Sequence, residues 1–229
     1  MLFTPFRVLS LVLMGTSILG WQHSSYPAML WAQFNLKTQM ELAAFSRFQL
    51  TENCDASSLG TGLARAALAR PQHILRYDAS YKKIKFPNGD VPEDTGCSAD
   101  EIIRCFRSIG VDLQEKIYQD MLKSFSSYAK NKKDSRPDTN IDHRVVANLK
   151  VFFDRHARSL PTTSRTDDYK PGDIVTFRTP ENQSHIAIVV PSPTGGARPW
   201  IVHNIGWGPC IEDKLLDFTL TGHYRYPGD

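Results

Sequence analysis

Two stretches of the chain hold side chains that could do covalent chemistry. At Gly96-Cys97-Ser98 a turn-rich loop gives way to a helical pattern. The first amides of a helix have no intrahelical acceptor and sit at the positive end of its dipole. A thiol there is driven toward thiolate, the reactive form, so Cys97 and Ser98 both stand where a nucleophile belongs. Each also has a structural reading. Ser98 and Glu101 fit the S-x-x-E capping box, and Cys97 fits a packed thiol. The second stretch supplies imidazoles. In His185-Ile186-Ala187-Ile188-Val189-Val190 the alternation puts His185 on one face with Ala187 and Val189, while His203 ends Trp200-Ile201-Val202-His203. If these strands are antiparallel neighbours, the start of one lies beside the end of the other and the two histidines meet. A histidine alone at a strand end is usually structural; a pair opposite a helix-terminal nucleophile suggests a general base and its orienter.

A metal reading uses the same histidines with Asp142-His143 or with Asp173. It lacks support from an H-E-x-x-H pair or a cysteine pair, so no metal or other cofactor is expected. Asp142-His143-Arg144 reads as a helix cap with a surface ion pair, and Gly172-Asp173 as a turn into a strand.

The elements that must position these groups follow from periodicity. Ala56 to Arg70 reads as a helix ended by Pro71. After a loop with Asn88-Gly89 and Pro87 and Pro92 turn chemistry, Ile102, Ile103, Phe106 and Ile109 recur at helical spacing until Gly110. Leu113, Ile117, Met121, Phe125 and Tyr128 mark another amphipathic helix, Lys130 to Asn140 a solvated loop, and Val145 to Arg158 a further helix with Leu149, Phe152 and Phe153 inward. Beyond Pro161 the runs are short and β-branched or aromatic: 173–177, 185–190, 200–203 and 223–226. Helices followed by an antiparallel sheet predict an α+β domain over 56–229.

Composition sets the outer limits. The chain has 229 residues, and 27 basic against 24 acidic side chains give a net charge of +3, too little for a dedicated nucleic-acid binder. With 41% hydrophobic and 22% charged residues, disorder, collagen-like repeats and coiled coil are set aside. Arg7 is the only Asp, Glu, Lys or Arg before Lys37, and Val8 to Trp21 is mostly apolar before Gln22-His23-Ser24-Ser25. That run is short for a membrane span. Residues 1–32 are therefore expected to be a signal peptide, with an uncleaved membrane anchor as the alternative, and 33–55 a linker or N-terminal extension. The protein is expected in the periplasm or outside the cell. Cys54, Cys97, Cys105 and Cys210 fit no zinc spacing, one or two disulfides are open to them in an oxidising compartment, and Cys105 reads as a packed thiol.

The segment Leu63–Tyr226 resembles the bacterial family known as domain of unknown function 1287, grouped with NlpC-type papain-like peptidases. The resemblance is carried by Tyr77-Asp78, Asn88-Gly89-Asp90-Val91-Pro92, Asn140-Ile141-Asp142-His143-Arg144, Pro171-Gly172-Asp173-Ile174-Val175, His185-Ile186, His203-Asn204-Ile205-Gly206 and Gly222-His223-Tyr224-Arg225-Tyr226. It implies N-terminal helices on a small antiparallel sheet. It also implies a cysteine hydrolase acting on peptidoglycan peptides, with His185 as base, His203 as orienter, and Asp100, Arg104 and Asn204 shaping the substrate site. The family's nucleophilic cysteine falls on Ser98, with Cys97 at a small apolar position before it. An inactivating replacement, a natural serine variant, or a register shift that lets Cys97 act would each account for this. A cell-wall binding module without turnover and an acyltransferase of related fold are the alternative functions.

Overall fold

The computed structural model describes residues 26–53, 58–72, 76–128, 136–206 and 208–227. The apolar run Val8–Trp21 and Cys54 lie outside them. Five α-helices are described: α1 (Tyr26–Asn53), α2 (Leu59–Ala69), α3 (Ser98–Ser108), α4 (Leu113–Ser124) and α5 (Val146–His156). Strands β1 (Arg76–Tyr77) and β2 (Thr95–Gly96) form a short parallel pair that leads into α3. The remaining strands are β3 (Arg158–Ser159), β4 (Ile174–Arg178), β5 (Ser184–Val190), β6 (Trp200–Asn204), β7 (Pro209–Glu212) and β8 (Thr219–Arg225). They make one antiparallel sheet in the order β3-β8-β4-β5-β6-β7. The α+β arrangement and the β5–β6 neighbourhood agree with the reading from sequence.

Strand alternation divides the sheet's side chains between two cores. Ile186, Ile188 and Val190 of β5, with Val202 and Ile211, pack under Leu63, Ala67, Ile102, Phe106 and Phe153 from the helices. Val175, Phe177, Ala187, Val189 and Ile201 face the other way and are covered by Tyr169 and Leu215, with Phe218 stacked on Phe177 at 4.7 Å between ring centres. Both faces are buried, so the central strands read as continuous apolar runs.

The segment 33–55, read as a linker or extension, is mostly helix. In α1 the residues Ala43, Ser46 and Leu50 are buried, a narrow stripe at helical spacing, while Met40, Phe45 and Phe48 remain exposed. Its polar groups tie it down: Ser46 donates to the Pro191 carbonyl at 2.7 Å, Arg47 to that of Leu68 at 2.9 Å, and Gln39 accepts from the Ile211 amide at 2.6 Å. Apolar side chains on several faces hid the helical period. No helix among the described residues is long and apolar enough to cross a membrane. Cys97, Cys105 and Cys210 are free thiols.

The turn into β4 sits against α2 so tightly that it requires glycine. Gly172 has φ +90°, and a Cβ there would lie 2.1 Å from the Gly60 carbonyl oxygen. Gly172→Ala should therefore cost about 2–3 kcal/mol, combining backbone strain with overpacking. Urea unfolding measures it, and an unchanged midpoint would count against this packing.

Candidate active site

Local geometry at the start of α3 gives the two adjacent nucleophile candidates different surroundings. Cys97 is the N-cap, in extended conformation, and Ser98 is the first helical residue. The capping box is built one residue earlier than Ser98-Glu101 predicts: the Asp100 carboxylate accepts from the Cys97 amide at 2.7 Å, and Cys97 faces the Asp100 amide in return. Glu101 is drawn away by Arg70 at 2.7 Å and Arg104 at 3.2 Å. The Cys97 thiol is pushed up to about 12, first by burial and then by the Asp100 charge, which favours its protonated form. Ser98 is released from capping. Its hydroxyl has no hydrogen-bond partner among the described residues and is not a sealed orphan. The amides of Ser98 and Ala99 likewise have no acceptor among the described groups, as befits the first turn of a helix.

The three residues implied as substrate contacts all have partners within the protein. Asp100 is 2% exposed and forms a two-pronged ion pair with Arg144, at 2.7 and 3.0 Å. Arg144 also donates to the carbonyls of Ser80 and Asp78, at 2.8 and 3.1 Å. The stretch Asp142-His143-Arg144 is thus buried rather than a surface cap, because its arginine ties the loop after β1 to the first turn of α3. Arg104 binds Asp90 at 3.0 Å and the Thr95 carbonyl at 2.9 Å, clamping the strand that enters α3. A Cβ on Gly96 would come within 3.0 Å of its guanidinium, hence the glycine. Asn204 is fully buried, accepting from the Gly206 amide at 3.1 Å and donating to the Gly96 carbonyl at 3.4 Å. All three make hydrogen bonds within the protein that hold the loop and strand leading into α3.

The histidines meet as the strand pairing predicts. His185 Nε2 and His203 Nδ1 are 3.3 Å apart, and His203 Nε2 lies 2.7 Å from Glu212 Oε2. An ionised carboxylate only accepts, so His203 carries its proton on Nε2 when neutral. Its Nδ1 then accepts from His185 Nε2–H, and the lone pair of His185 falls on Nδ1. That nitrogen has no partner among the described residues and is not a sealed orphan. Phe177 packs against both rings, at 5.0 and 6.3 Å. Burial, aided by His203, pushes His185 down to about 3, so the ring is a neutral base. Glu212 was missed by the sequence reading. Its signal was the alternation in Pro209-Cys210-Ile211-Glu212, which places Cys210 and Glu212 on the same sheet face as His203.

No hydrogen bond joins Ser98 to His185 among the described residues. The imidazoles emerge on the sheet face of Ala187 and Ile201, whereas α3 packs on the face of Ile186 and Val202. The two halves meet at the sheet's rim, where β5 begins and β6 ends, through the Asn204–Gly96 bond. Across this rim Tyr77 pairs with Gly96, and burial, followed by the nearby Cys97 and Asp100, raises its hydroxyl's pKa. The histidine pair is thus brought together and set beside the start of α3, while the Ser98–His185 contact itself is unmade.

Two further buried titratable groups lie outside the histidine relay. Asp173 accepts from His223 at 2.8 Å and from Arg225 at 2.7 Å, in keeping with its reading as part of a turn. His143 is 2% exposed and pushed down to about 4, chiefly by burial. His143 and His185 both have folded values below the unfolded value near 6.5. The unfolded chain therefore takes up protons that the fold refuses, and stability present above pH 6.5 is lost toward pH 4. Each contributes up to about 1.4 kcal/mol per pH unit. His143→Gln should flatten the fall in urea midpoint between pH 6.5 and 4.5; a slope equal to that of the parent would contradict it.

Comparison with known proteins places the chain in a family. An uncharacterised protein of Escherichia coli (strain K12), YijF, is 43% identical over 168 residues, covering 72% of this chain and 82% of its own. A solved structure, NlpC2 from Trichomonas vaginalis, aligns with a TM-score of 0.42 at 16% identity over 78% of this chain; the chain spans half of that protein's length. Residues 64–226 match the family described as domain of unknown function (DUF1287), which takes in the start of α3, both histidines and Glu212, and the chain belongs to that family.

Proposed function

We propose that this protein is an exported papain-like amide hydrolase acting on peptidoglycan stem peptides or crosslinks, with Ser98 where the attacking group belongs. The observation that carries the reading is the His185–His203–Glu212 relay, which leaves an open lone pair on His185 Nδ1 at the rim beside α3. Ser98 Oγ attacks the amide carbonyl, and His185 Nδ1 takes the hydroxyl proton and passes it to the departing amine. His203 holds the tautomer, and the Ser98 and Ala99 amides bind the developing oxyanion. Catalytic hydrogen bonds are often long in a free enzyme and tighten around substrate, which is the role assigned to the Ser98–His185 contact. A serine hydroxyl, with its far higher pKa, forms no stable ion pair with the imidazole, so turnover by this sequence is low.

Ser98→Cys should raise release of soluble peptides from purified peptidoglycan by at least about 100-fold. Cys97→Ala in that background should leave the rate intact, because the Cys97 thiol is protonated and packed. Mass spectrometry of the products reads both. Loss of turnover on removing Cys97 would transfer the nucleophile's role to it. Saturable binding without fragments would favour a binding module, and an acyl adduct on the introduced thiol would favour acyl transfer.

A further inference from the structure

On the far side of His203 from His185, three potential ligand atoms converge: His203 Nε2, Cys210 Sγ and Glu212 Oε2 all lie within 4.8 Å of one another. They come from paired strands. His203 and Cys210 are directly opposite in the β6–β7 ladder, and Glu212 lies two residues on, on the same face. Such cross-strand and diagonal neighbours are fixed by register and not by flexible loops. We infer that His203, Cys210 and Glu212 form a binding site for a thiolate-preferring divalent cation of the zinc class, and that its occupancy switches the imidazole relay.

The distances suit that ion. Tetrahedral zinc with bonds of roughly 2.0 Å to nitrogen and oxygen and 2.3 Å to sulfur holds an S···O pair near about 3.5 Å and an N···O pair near about 3.3 Å. Cys210 Sγ and Glu212 Oε2 stand 3.6 Å apart already, and the 2.7 Å His203–Glu212 pair must open by only about half an ångström. The Glu212 side chain is 38% exposed, giving an ion and a fourth, water ligand a route in. Imidazole, thiolate and carboxylate together suit zinc and disfavour magnesium and calcium. Cys210 must lose its proton, which burial and the Glu212 charge otherwise hold on.

The consequence for the relay is a matter of proton placement. A cation on His203 Nε2 displaces the proton held there; His203 Nδ1 then takes the proton of His185 Nε2 across their hydrogen bond, and the displaced proton is taken up through solvent by His185 Nδ1. That N–H now donates to His185 Nε2, so His185 carries its proton on Nδ1 and has no lone pair there to act as a base. The two imidazoles hold two protons before and after, and the one released to solvent comes from Cys210. This regulatory half rests on the proposed hydrolase; the binding half does not.

Cobalt(II) and zinc(II) titrations of the full chain test the binding half. One ion per chain is expected, with a thiolate-to-cobalt charge-transfer band and with calorimetric enthalpies in two buffers reporting one proton released. Cys210→Ser should abolish the band, and Cys210→Ser and Glu212→Gln should each weaken affinity at least about 10-fold. Near-ultraviolet circular dichroism checks that both variants are folded. A band and affinity unchanged in both variants, or no binding by the folded parent, would overturn the site. The regulatory half is read in the Ser98→Cys protein, where zinc should suppress turnover and Cys210→Ser should move the ratio of activities with and without zinc toward one; an unchanged ratio would overturn the switch. Binding without turnover in any variant refutes the hydrolase and leaves the site, whereas turnover without binding refutes the site alone.

Discussion

In the Ser98→Cys protein, Glu212→Gln should lower kcat by about 10²- to 10⁴-fold with little change in KM. The scale is that of neutralising the carboxylate that fixes a catalytic tautomer. Glu212 accepts from His203 Nε2 at 2.7 Å and is the one group among the described residues that sets which ring nitrogen carries the proton. A glutamine keeps the shape but can present its amide nitrogen instead. The His203 proton then moves to Nδ1, and the lone pair on His185 Nδ1 is lost. The carboxyl itself is held below its usual range by His203, so it is ionised through the neutral range. Steady-state kinetics on a muropeptide substrate measure the effect. A variant with parent kcat would show that the relay ends at His203.

The largest stability loss is expected from Arg144→Met, about 3–5 kcal/mol by chemical denaturation. The Arg144 and Asp100 side chains are 1% and 3% exposed and share two short bonds. Removing the arginine leaves a buried, uncompensated carboxylate and frees the Ser80 and Asp78 carbonyls as well. Asp100→Asn combined with Arg144→Met should recover part of the loss, because the orphaned charge goes with it. Equal losses in the single and double variants would mean that the desolvated charge is not the source. The remaining Asp100–Cys97 cap ties this stability to the placement of Ser98.

The sequence made legible those parts of the fold governed by local period. Ile102, Ile103 and Phe106 announce α3, and Leu149, Phe152 and Phe153 announce α5, because each burying face repeats at helical spacing. The His185–His203 meeting was legible too, since two neighbouring runs with one connection between them favour antiparallel pairing. Three things escaped. In α1 few buried residues stand among exposed Met40, Phe45 and Phe48, so no clean period survives. Strand β7 is only four residues long and begins with proline, so Cys210 and Glu212 were not seen as a pair facing His203. The capping box moved from Ser98-Glu101 to Cys97-Asp100 because Arg70 and Arg104 compete for Glu101, a tertiary effect that no local motif encodes. Asp100, Arg104 and Asn204 lie around the start of α3, and their internal partners could not be read from residue type.

The account turns on whether position 98 and His185 share a proton. Alkylation of the Ser98→Cys thiol by iodoacetamide, mapped to position 98 by peptide mass spectrometry across pH 4 to 10, measures this directly. The predicted result is faster modification below pH 8.5 than an ordinary thiol shows, because the neutral His185 imidazole takes the thiol proton as it reacts, with the profile returning to that of an ordinary thiol near pH 8.5 in the Ser98→Cys, His185→Ala double variant. An ordinary profile in both proteins would contradict the account, because it would mean that the rim keeps the nucleophile and the imidazole apart.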